Sequence, residues 1–228
     1  MRGIFVTATD TGVGKTILSA ALLAALSATG ELVRAFKPVV TGLEDEGEIA
    51  ARGVWPPDHE LLAAAAGMDP DDVSPLRYGP AVSPHLAAEL AGEHIDPAVL
   101  LAAAHAHDGE ADTLIVEGVG GLLTPLADEY SVCDLAAALA LPMVIAARPG
   151  LGTINHTLLT IRAARTAGLD VRAVVLTPWP VQPTAMQRSN NATIARLGSV
   201  PVQTLRQIPN PSLAELAAAG SPLLGLLD

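Results

Sequence analysis

The residues best suited to chemistry lie near the start of the chain, in the stretch ATDTGVGKT at residues 8–16. A glycine-rich turn between a strand and a helix points several N–H groups at one spot, where the helix N-terminus adds partial positive charge. Lys15 would add a full charge for the phosphates of a nucleotide, and the Thr16 hydroxyl could hold Mg²⁺. The standard phosphate-loop pattern needs a glycine five residues before Gly14, but Thr9 stands there. The stretch favours a nucleotide site over a plain glycine turn and leaves the shape of the loop open.

Two more charged residues follow apolar runs. Lys37 opens the segment KPVVTG, and a lysine at the end of a buried strand is costly unless it faces an anion or water, so both interpretations stay open. Glu117 opens EGVGGLLTPL, the arrangement of an acid that helps to hold Mg²⁺ near a phosphate, with a helix cap as the alternative. A second carboxylate for the metal would come from Asp58, with weaker candidates at Asp10, Asp45 and Asp128.

A second anion site is predicted in RPGLGTINHT, at residues 148–157. Gly152 and Thr153 open a helix there, and the free N–H groups of its first turn suit a carboxylate or a phosphate. An ordinary glycine turn with a threonine cap is the alternative.

The elements that must position these residues are short apolar runs alternating with helical segments. Strands are predicted at residues 3–8, 32–39, 112–118, 142–147, 171–176 and 200–205, and the first helix at residues 13–29. Strands separated by helices of this length form right-handed crossovers and a parallel sheet. We predict one α/β domain over residues 1–228, with a three-layer P-loop NTPase-like fold whose mainly parallel central sheet is flanked by helices.

Ligands of such sheets bind beyond the carboxyl ends of the strands. The chemical residues should therefore cluster just after Ala8, Phe36, Val116, Ala147 and Leu176. Residues 43–58 are acidic and contain two prolines, and we predict a loop inserted on the ligand side. Three helix starts are indicated by capping signals at Asp96-Pro97, Ser131 with Asp134, and Ser212 with Glu215.

Charge and composition exclude several classes of function. Acidic residues outnumber basic ones by 24 to 13, and the net charge of −11 argues against sequence-independent binding of DNA or RNA. The single cysteine, Cys133, excludes an intrachain disulfide and fits a reducing compartment. The longest strongly apolar run, residues 135–147, contains Pro142 and is too short to span a bilayer, and no signal-peptide pattern precedes the first strand. We expect a cytoplasmic protein without nucleic-acid or membrane partners.

Five segments taken in order resemble the dethiobiotin synthetase family: VTATDTGVGKT, KPVVTG, SPH, VEGVGGLLTPL and LGTINHTLLT. Their spacing fits the family from residue 6 to residue 160, and the similarity thins beyond the strand predicted at residues 171–176. The family loop reads G-T-D-T-x-V-G-K-T, one residue longer between its glycines than the standard motif, which explains the register of Gly14. Ala8 replaces the first glycine of the family, which is tolerable where φ is negative.

The resemblance implies an ATP- and Mg²⁺-dependent ligase of biotin biosynthesis that closes a ureido ring on 7,8-diaminopelargonic acid with CO₂. In this reaction one amine takes up CO₂ as a carbamate, and the carbamate attacks the γ-phosphate to form a carbamic–phosphoric anhydride. The second amine then displaces phosphate. Positioning and charge stabilisation carry most of such catalysis.

The resemblance also implies the roles of individual residues. Lys15 and Lys37 flank the carbamate and the transferring phosphoryl group, and Thr11 lies near the same centre. The metal ligands are Thr16, Asp58 and Glu117. The nucleotide contacts are Thr11, Gly12, Val13, Gly14, Lys15, Thr16, Thr177, Pro178 and Pro209. The segment at residues 208–211 is a further candidate lining of the base pocket.

The family binds its diamine at a dimer interface, so the resemblance implies a homodimer. Thr41 lies beside the diamine. Gly152, Thr153 and Asn155 of one subunit accept the carboxylate of the substrate held by the other, in agreement with the anion site predicted above.

One departure concerns the nucleotide base. Many family members carry an asparagine after the strand matching residues 171–176, where it reads the edge of adenine. Here Thr177 stands in that place, followed by Pro178, and a single hydroxyl cannot make the paired contacts of an amide. ATP is the expected nucleotide, and relaxed use of other nucleoside triphosphates is a hypothesis.

Two other classes have related phosphate loops. Amidotransferase-type synthetases acting on cobalamin precursors append a glutaminase domain with a nucleophilic cysteine, and Cys133 lies at a predicted helix start far from such a motif. ParA-like switches carry a lysine at the beginning of the loop, in K-G-G-x-G-K-T, whereas no lysine precedes Lys15 in this chain. Both are less favoured than the synthetase.

Overall fold

The computed structural model describes residues 2–109, 111–209 and 212–227. The strands are β1 (Arg2–Ala8), β2 (Val33–Phe36), β3 (Val39–Val40), β4 (Leu76–Arg77), β5 (Thr113–Glu117), β6 (Pro125–Ala127), β7 (Tyr130–Ser131), β8 (Met143–Ala147), β9 (Val171–Trp179) and β10 (Val202–Arg206). The helices are α1 (Lys15–Ala28), α2 (Glu46–Arg52), α3 (Asp58–Ala66), α4 (Pro70–Val73), α5 (Pro84–Leu90), α6 (Pro97–His105), α7 (Val132–Leu139), α8 (Thr153–Thr166), α9 (Ala185–Gly198) and α10 (Leu213–Gly220), followed by a 3-10 helix at Ser221–Leu226.

The central sheet has six strands in the order β10-β9-β8-β1-β5-β2. Every pairing in it is parallel, which confirms the predicted parallel sheet. The strands β1, β5 and β8 are buried along nearly their whole length, as expected where helices cover both faces of a sheet. The first strand lies inside the sheet, so the loop that follows it emerges near the middle of the ligand-binding edge.

The core consists of two apolar clusters, one on each face of the sheet. Successive residues of β1 alternate between them: Ile4 and Val6 belong to one cluster and Phe5 to the other. On the first face α1 packs against α3 and α10, and the approach of α10 is so close that a Cβ on Gly220 would overlap the Ala21 carbonyl. This packing confirms three layers and fixes the helix that carries Lys15.

The second strand is shorter than predicted. The prediction extended it to residue 39, whereas β2 ends at Phe36. The Lys37 N–H donates to Val73 O at 2.8 Å, and Pro38 has no N–H with which to continue the ladder. The chain therefore leaves the sheet at Lys37, and β3 pairs with β4 in a separate two-stranded sheet.

The segment at residues 43–58 is not the loop that the sequence predicted. It contains α2, whose N-terminus is capped by the Asp45 side chain accepting from Glu48 N, and Asp58 is the first residue of α3. The last strand covers Val202–Arg206, two residues later at its start than predicted. The helix α2 was not predicted because it is short, acidic and contains a glycine, and so it has no apolar repeat. The capping residue Asp45 was the signal that could have indicated it.

The three predicted helix starts are confirmed. The Asp96 side chain accepts from Ala98 N, Ser131 and Asp134 form a reciprocal capping box, and Ser212 accepts from Glu215 N. In the part of the chain that the structure describes, no helix has the length and apolar character needed to cross a bilayer.

Candidate active site at the carboxyl ends of the strands

The phosphate loop connects β1 to α1. Gly12 and Gly14 have φ values of +65° and +99°, which glycine adopts at little cost, and Gly14 caps α1 without any side-chain hydrogen bond. The first N–H groups of α1 are therefore available to an anion. Ala8 is the last residue of β1 and pairs with Ala146, so the methyl group that replaces the family glycine lies in extended backbone.

The side chains of the loop differ in exposure. Thr11 and Gly12 are exposed, whereas Val13 is buried in the core and offers only its backbone to a nucleotide. Thr11 N donates to the Asp10 carboxylate at 2.7 Å, so Asp10 is used within the loop.

Lys15 is buried at the start of α1, and its ammonium donates to Gly120 O at 2.9 Å. Its pKa is lowered to about 8, chiefly by burial and next by the nearby Lys37 charge, which together outweigh the opposing effect of Glu117 and Asp58. Lys15 and Lys37 are the only lysines of the chain. Both are buried, and they lie close enough for the charge of Lys37 to lower the pKa of Lys15.

Lys37 lies between two carboxylates. Its Nζ is 2.6 Å from Asp58 Oδ2 and 2.6 Å from Glu117 Oε1, and the lysine is buried. Burial alone would lower the pKa of Lys37, but the two carboxylates outweigh burial and raise it, so the ammonium stays charged. The interpretation of Lys37 as a solvated lysine at a strand end is therefore wrong.

The third site element is the Thr16 hydroxyl, which donates to Glu117 Oε1 at 2.8 Å. Glu117 is fully buried, and its other oxygen, Oε2, has no hydrogen-bond partner within residues 2–109, 111–209 and 212–227. A buried carboxylate oxygen without a partner is costly, and a cation bound there would satisfy it. Since Mg²⁺ prefers oxygen ligands and is commonly held by one or two carboxylates plus phosphates, the donor set fits this ion.

Asp58 completes the oxygen donors from the first turn of α3, where the helix dipole favours a carboxylate. Burial would raise its pKa, but the Lys37 charge and hydrogen bond outweigh burial and lower it. Its side chain is 38% exposed, so this side of the cluster faces solvent. The weaker candidates lie elsewhere: Asp45 caps α2, and Asp128 lines a separate cavity with His85.

The second predicted anion site is a turn between β8 and α8, at residues 148–152. Gly152 has a φ of +89° and caps α8 without a side-chain bond. The Thr153 N–H donates to Gly150 O at 3.4 Å, so the other N–H groups of the first turn are the ones available to an anion. Thr153 is buried, and its hydroxyl lies 3.4 Å from that of Thr157, so its side chain points into the protein. Asn155 is exposed, and the side chain of Leu151 is 94% exposed.

The residues predicted to contact the base lie at the ends of the last two strands. β9 extends to Trp179, so Thr177 lies within the strand, buried, and its methyl group would be 3.1 Å from a Cβ on Gly14. Its side chain thus packs under the phosphate loop. Pro178, joined to Thr177 by a cis peptide bond, is exposed, as is Pro209 after β10. Residues 210 and 211 of the predicted base pocket lie outside the described residues.

Thr41 lies just beyond β3 and is half-buried. Gly42, with a φ of +78°, turns the chain there, and its N–H donates to Pro80 O at 2.9 Å. Among the described contacts none joins Thr41 to the Lys37 cluster.

Two further residues of the site were not predicted from the sequence. Arg148 directly follows β8, and its guanidinium donates to Gly12 O at 3.0 Å and to Thr11 O at 3.3 Å. The strand-end rule pointed to this position, and a cation there was a usable signal. Asn190 is buried in α9 and donates to two carbonyls of the turn at residues 148–152. An asparagine inside a helix gives no local signal of such a contact.

Comparison with known proteins agrees with this geometry. A family model described as an AAA domain matches residues 2–213. An ATP-dependent dethiobiotin synthetase from Anaeromyxobacter dehalogenans is 39% identical over 228 residues, covering 99% of this chain and 98% of the relative. The enzyme of the same name from Nitrosospira multiformis is 44% identical over 172 residues, covering 75% of this chain and 73% of the relative.

Among solved structures, a ParA family ATPase from Chlorobium tepidum superposes with a TM-score of 0.55 at 15% identity, covering 97% of this chain and 91% of that one. A likeness at this identity shows the fold alone, and it confirms the predicted P-loop NTPase-like architecture. The family is shown by the relatives of higher identity. The chain belongs to the family of ATP-dependent dethiobiotin synthetases, which are ligases of biotin biosynthesis.

Proposed function

We propose that this chain, acting as one domain over residues 1–228, closes a ureido ring on 7,8-diaminopelargonic acid with CO₂, ATP and Mg²⁺. The observation that carries the proposal is one cluster of side chains at the carboxyl ends of β1, β2 and β5. It combines two buried ammonium groups with two carboxylates and a hydroxyl, contributed by Lys15, Lys37, Asp58, Glu117 and Thr16. This set can hold a nucleotide phosphate, a metal ion and an anionic nucleophile together.

ATP binds with its phosphates on the loop between β1 and α1. The N–H groups of the loop and the helix N-terminus supply partial positive charge, and Lys15 supplies a full one. Because Lys15 is buried, its charge acts on the phosphates through a medium of lower dielectric than water.

The first bond forms between one amine of the diamine and the carbon of CO₂, and the amine loses a proton to give a carbamate. The carbamate oxygen then attacks the γ-phosphorus, the bond to the β-phosphate oxygen breaks, and ADP leaves. Lys37 and Lys15 hold the negative charge of the carbamate and of the transferring phosphoryl group, with Thr11 close to the same centre.

Mg²⁺ bound by Thr16, Asp58 and Glu117 would neutralise charge on the β- and γ-phosphates. The protein residues orient this site: Thr16 fixes Glu117 Oε1 by its hydrogen bond, and α3 presents Asp58 from its first turn.

In the last step the second amine attacks the carbonyl carbon of the anhydride. The bond from that carbon to the phosphate oxygen breaks, phosphate leaves, and the nitrogen loses a proton as the ring closes. The reaction needs both amines near Lys37, so the position of the diamine decides the rate. Thr41, just beyond β3, lies beside it.

The carboxylate of the diamine binds to the turn at residues 148–152 and the start of α8, through Gly152, Thr153 and Asn155. This turn belongs to the partner subunit of a homodimer. The exposed side chain of Leu151 shows that the tip of this turn is accessible to a second copy. The buried hydroxyl of Thr153 points away from the carboxylate, and the Thr153 N–H donates to Gly150 O in a long bond of 3.4 Å, so the other N–H groups of the first turn carry most of the contact.

The test is an incubation with 7,8-diaminopelargonic acid, bicarbonate, Mg²⁺ and ATP. Mass spectrometry detects the ring-closed product, and phosphate release is followed in parallel. We expect product and phosphate in equal amounts, both dependent on the diamine. Phosphate released without product would mean that the loop hydrolyses ATP but that the substrate is a different one.

A further inference from the structure

Asn190 is a buried polar residue of α9 whose amide joins that helix to the turn before α8. Its Nδ2 donates to Pro149 O at 3.2 Å and to Gly150 O at 3.0 Å, and the residue is only 6% exposed. Both acceptors are carbonyls, so the side chain must present its NH₂ group to them. A neutral side chain with two donors on one nitrogen satisfies both carbonyls at once.

The same turn is held from its other side. Arg148 donates to Gly12 O and Thr11 O of the phosphate loop. The segment from residue 148 to residue 150 is thus tied to the nucleotide loop at one end and to α9 at the other. Since α9 begins with a capping box of Thr184 and Gln187, the helix that carries Asn190 is itself fixed.

The hydrogen bonds of Asn190 also affect the backbone around Gly152. The Gly150 carbonyl that accepts from Asn190 also accepts from Thr153 N at 3.4 Å, so this one oxygen links Asn190 to the first turn of α8. Gly152 lies between them in a left-handed conformation. A shift of the Gly150 carbonyl would therefore reorient the N–H groups on either side of Gly152.

We propose that Asn190 is a positioning residue for the carboxylate of the substrate. It holds the turn at residues 148–152 so that the N–H groups at the start of α8 converge on one anion. This inference rests on the proposed function, because it takes the diamine carboxylate as that anion. Asn190 acts through the turn and does not touch the reacting atoms.

The critical variant is Asn190→Asp, which keeps the shape and replaces the NH₂ donors by an oxygen that repels both carbonyls. The control is Asn191→Asp, the same change at the next position of α9, where the side chain is half-buried and has no described hydrogen bond. Asn190→Ala removes the donors without adding repulsion and should have an intermediate effect. Urea unfolding of each variant separates a loss of stability from a loss of binding.

Two substrates make the test specific: the diamine acid, and 2,3-diaminooctane, which is the same diamine without its carboxylate. We expect Asn190→Asp to raise KM for the acid by about tenfold while KM for ATP stays unchanged, and to leave KM for diaminooctane unchanged. The order of effects should be Asn190→Asp, then Asn190→Ala, then Asn191→Asp. An equal rise for both substrates, or a loss of stability without any change in KM, would overturn the inference.

Failure of the proposed function gives a different result. If the wild type closes no ring on the diamine acid, the reaction itself is wrong. If the wild type uses both substrates with the same KM, the carboxylate site is absent and Asn190 has nothing to position. Either result overturns the inference before any variant is compared.

Discussion

The Lys37 ammonium lies 2.6 Å from the Glu117 carboxylate, and the register of two neighbouring strands sets this pair. Phe36 of β2 is paired in parallel with Val116 of β5, so the residues that follow each of them leave the sheet side by side. Asp58 approaches the same ammonium from α3. Because an ammonium and a metal ion that bind the same oxygens compete, binding of Mg²⁺ should release Lys37 from at least one carboxylate.

Lys37→Met keeps the length of the side chain and removes the charge between the two carboxylates. Loss of one partner of a buried ion pair typically costs ~3 kcal/mol or more, so the metal-free variant should unfold at a lower urea concentration than the wild type. Without nucleotide, Mg²⁺ should bind the variant more tightly, because no ammonium competes, and should restore part of the stability. Turnover should fall ~10²-fold or more, as when a charge-stabilising group is removed. Calorimetry, urea unfolding and steady-state assays measure these effects.

A matched control is Arg77→Met, which breaks the more exposed ion pair between Arg77 and Asp71. Such surface pairs contribute about 0–1 kcal/mol, and the loss should not depend on Mg²⁺. Equal Mg²⁺ affinity in the wild type and in Lys37→Met would show that Lys37 and the metal do not share oxygens.

Glu117→Gln tests the metal site from the other side. The substitution keeps the shape and the hydrogen bond to Thr16 but removes a charge from the group that fits Mg²⁺. We expect the Mg²⁺ concentration for half-maximal activity to rise by about tenfold or more. Loss of a group that only hydrogen-bonds to a metal ligand already weakens metal binding by about that factor, and Glu117 is itself a predicted ligand. A titration of activity against free Mg²⁺ at saturating ATP measures it.

The control for that titration is Asp128→Asn, an acid that the sequence offered as a weaker metal candidate and that lines a separate cavity. It should leave the Mg²⁺ requirement unchanged. If Glu117→Gln needs no more Mg²⁺ than the wild type for half-maximal activity, the metal does not bind at this carboxylate.

The lowered pKa of Lys15 predicts proton uptake when ATP binds. At a pH slightly above 8 a substantial fraction of Lys15 is neutral in the free protein. Nearby phosphates favour the charged form, so ATP binding should raise the pKa and take up a proton, and ATP affinity should fall as pH rises through this range. Calorimetry in two buffers with different ionisation enthalpies measures the uptake. Binding without proton uptake would contradict the prediction.

The two lysines of the chain make a direct check possible. Protein labelled with ¹³C only at the ε-carbon of lysine should give two side-chain signals, of which the Lys15 signal titrates near pH 8 and the Lys37 signal at much higher pH. The lowered pKa of Lys15 also makes the free energy of unfolding depend on pH. Between the folded pKa of about 8 and the unfolded value of 10.5, the unfolded chain binds more protons at Lys15, so this residue makes stability rise with pH across that window.

The sequence predicted the parts of the site that depend on local pattern. Buried strands have continuous apolar runs, and the strand-end rule then placed Lys37 and Glu117 at the same edge of the sheet without any structural information. The glycines with positive φ in the phosphate loop were equally visible. The end of β2 could not be predicted in this way. The strand ends where the Lys37 N–H donates to the carbonyl of Val73, which lies in a distant segment of the chain.

Contacts between residues far apart in the sequence could not be predicted from local pattern. Asn190 meets Pro149 and Gly150 only because α9 packs beside the turn, and no periodicity in α9 encodes that contact. Asp58 was predicted as a metal ligand from its place in an acidic segment and from the resemblance, but its position at the start of α3 depends on a helix boundary that the acidic composition of the segment obscured.

Thr177 predicts weak selectivity for the nucleotide base. Its hydroxyl cannot make the paired contacts of an amide with adenine, and its side chain packs against Gly14 under the phosphate loop. We expect ATP and CTP to support ring closure at comparable rates, and Thr177→Asn to shift the preference toward ATP. Initial rates at saturating diamine measure both. Strict preference for ATP in the wild type would mean that other residues read the base.

A shared active site predicts that two inactive variants restore each other. Lys37→Ala disables the chemistry of its own subunit, and Gly152→Val disrupts the turn that serves the partner, because a β-branched residue is strained at a φ of +89°. In a mixed dimer, one site combines an intact Lys37 with an intact turn from the other subunit. After unfolding and refolding of an equal mixture, we expect about a quarter of wild-type activity, since half of the dimers are mixed and one of their two sites is intact.

Each variant refolded alone is the control and should stay inactive. The recovered activity should also fall with dilution if the dimer dissociates, which separates exchange of subunits from slow repair of one variant. If the turn instead served the substrate of its own subunit, each site of the mixed dimer would still contain one defect and no activity would return. The mixture therefore distinguishes a site shared between subunits from one built within a single chain, whatever the rate of the chemical step.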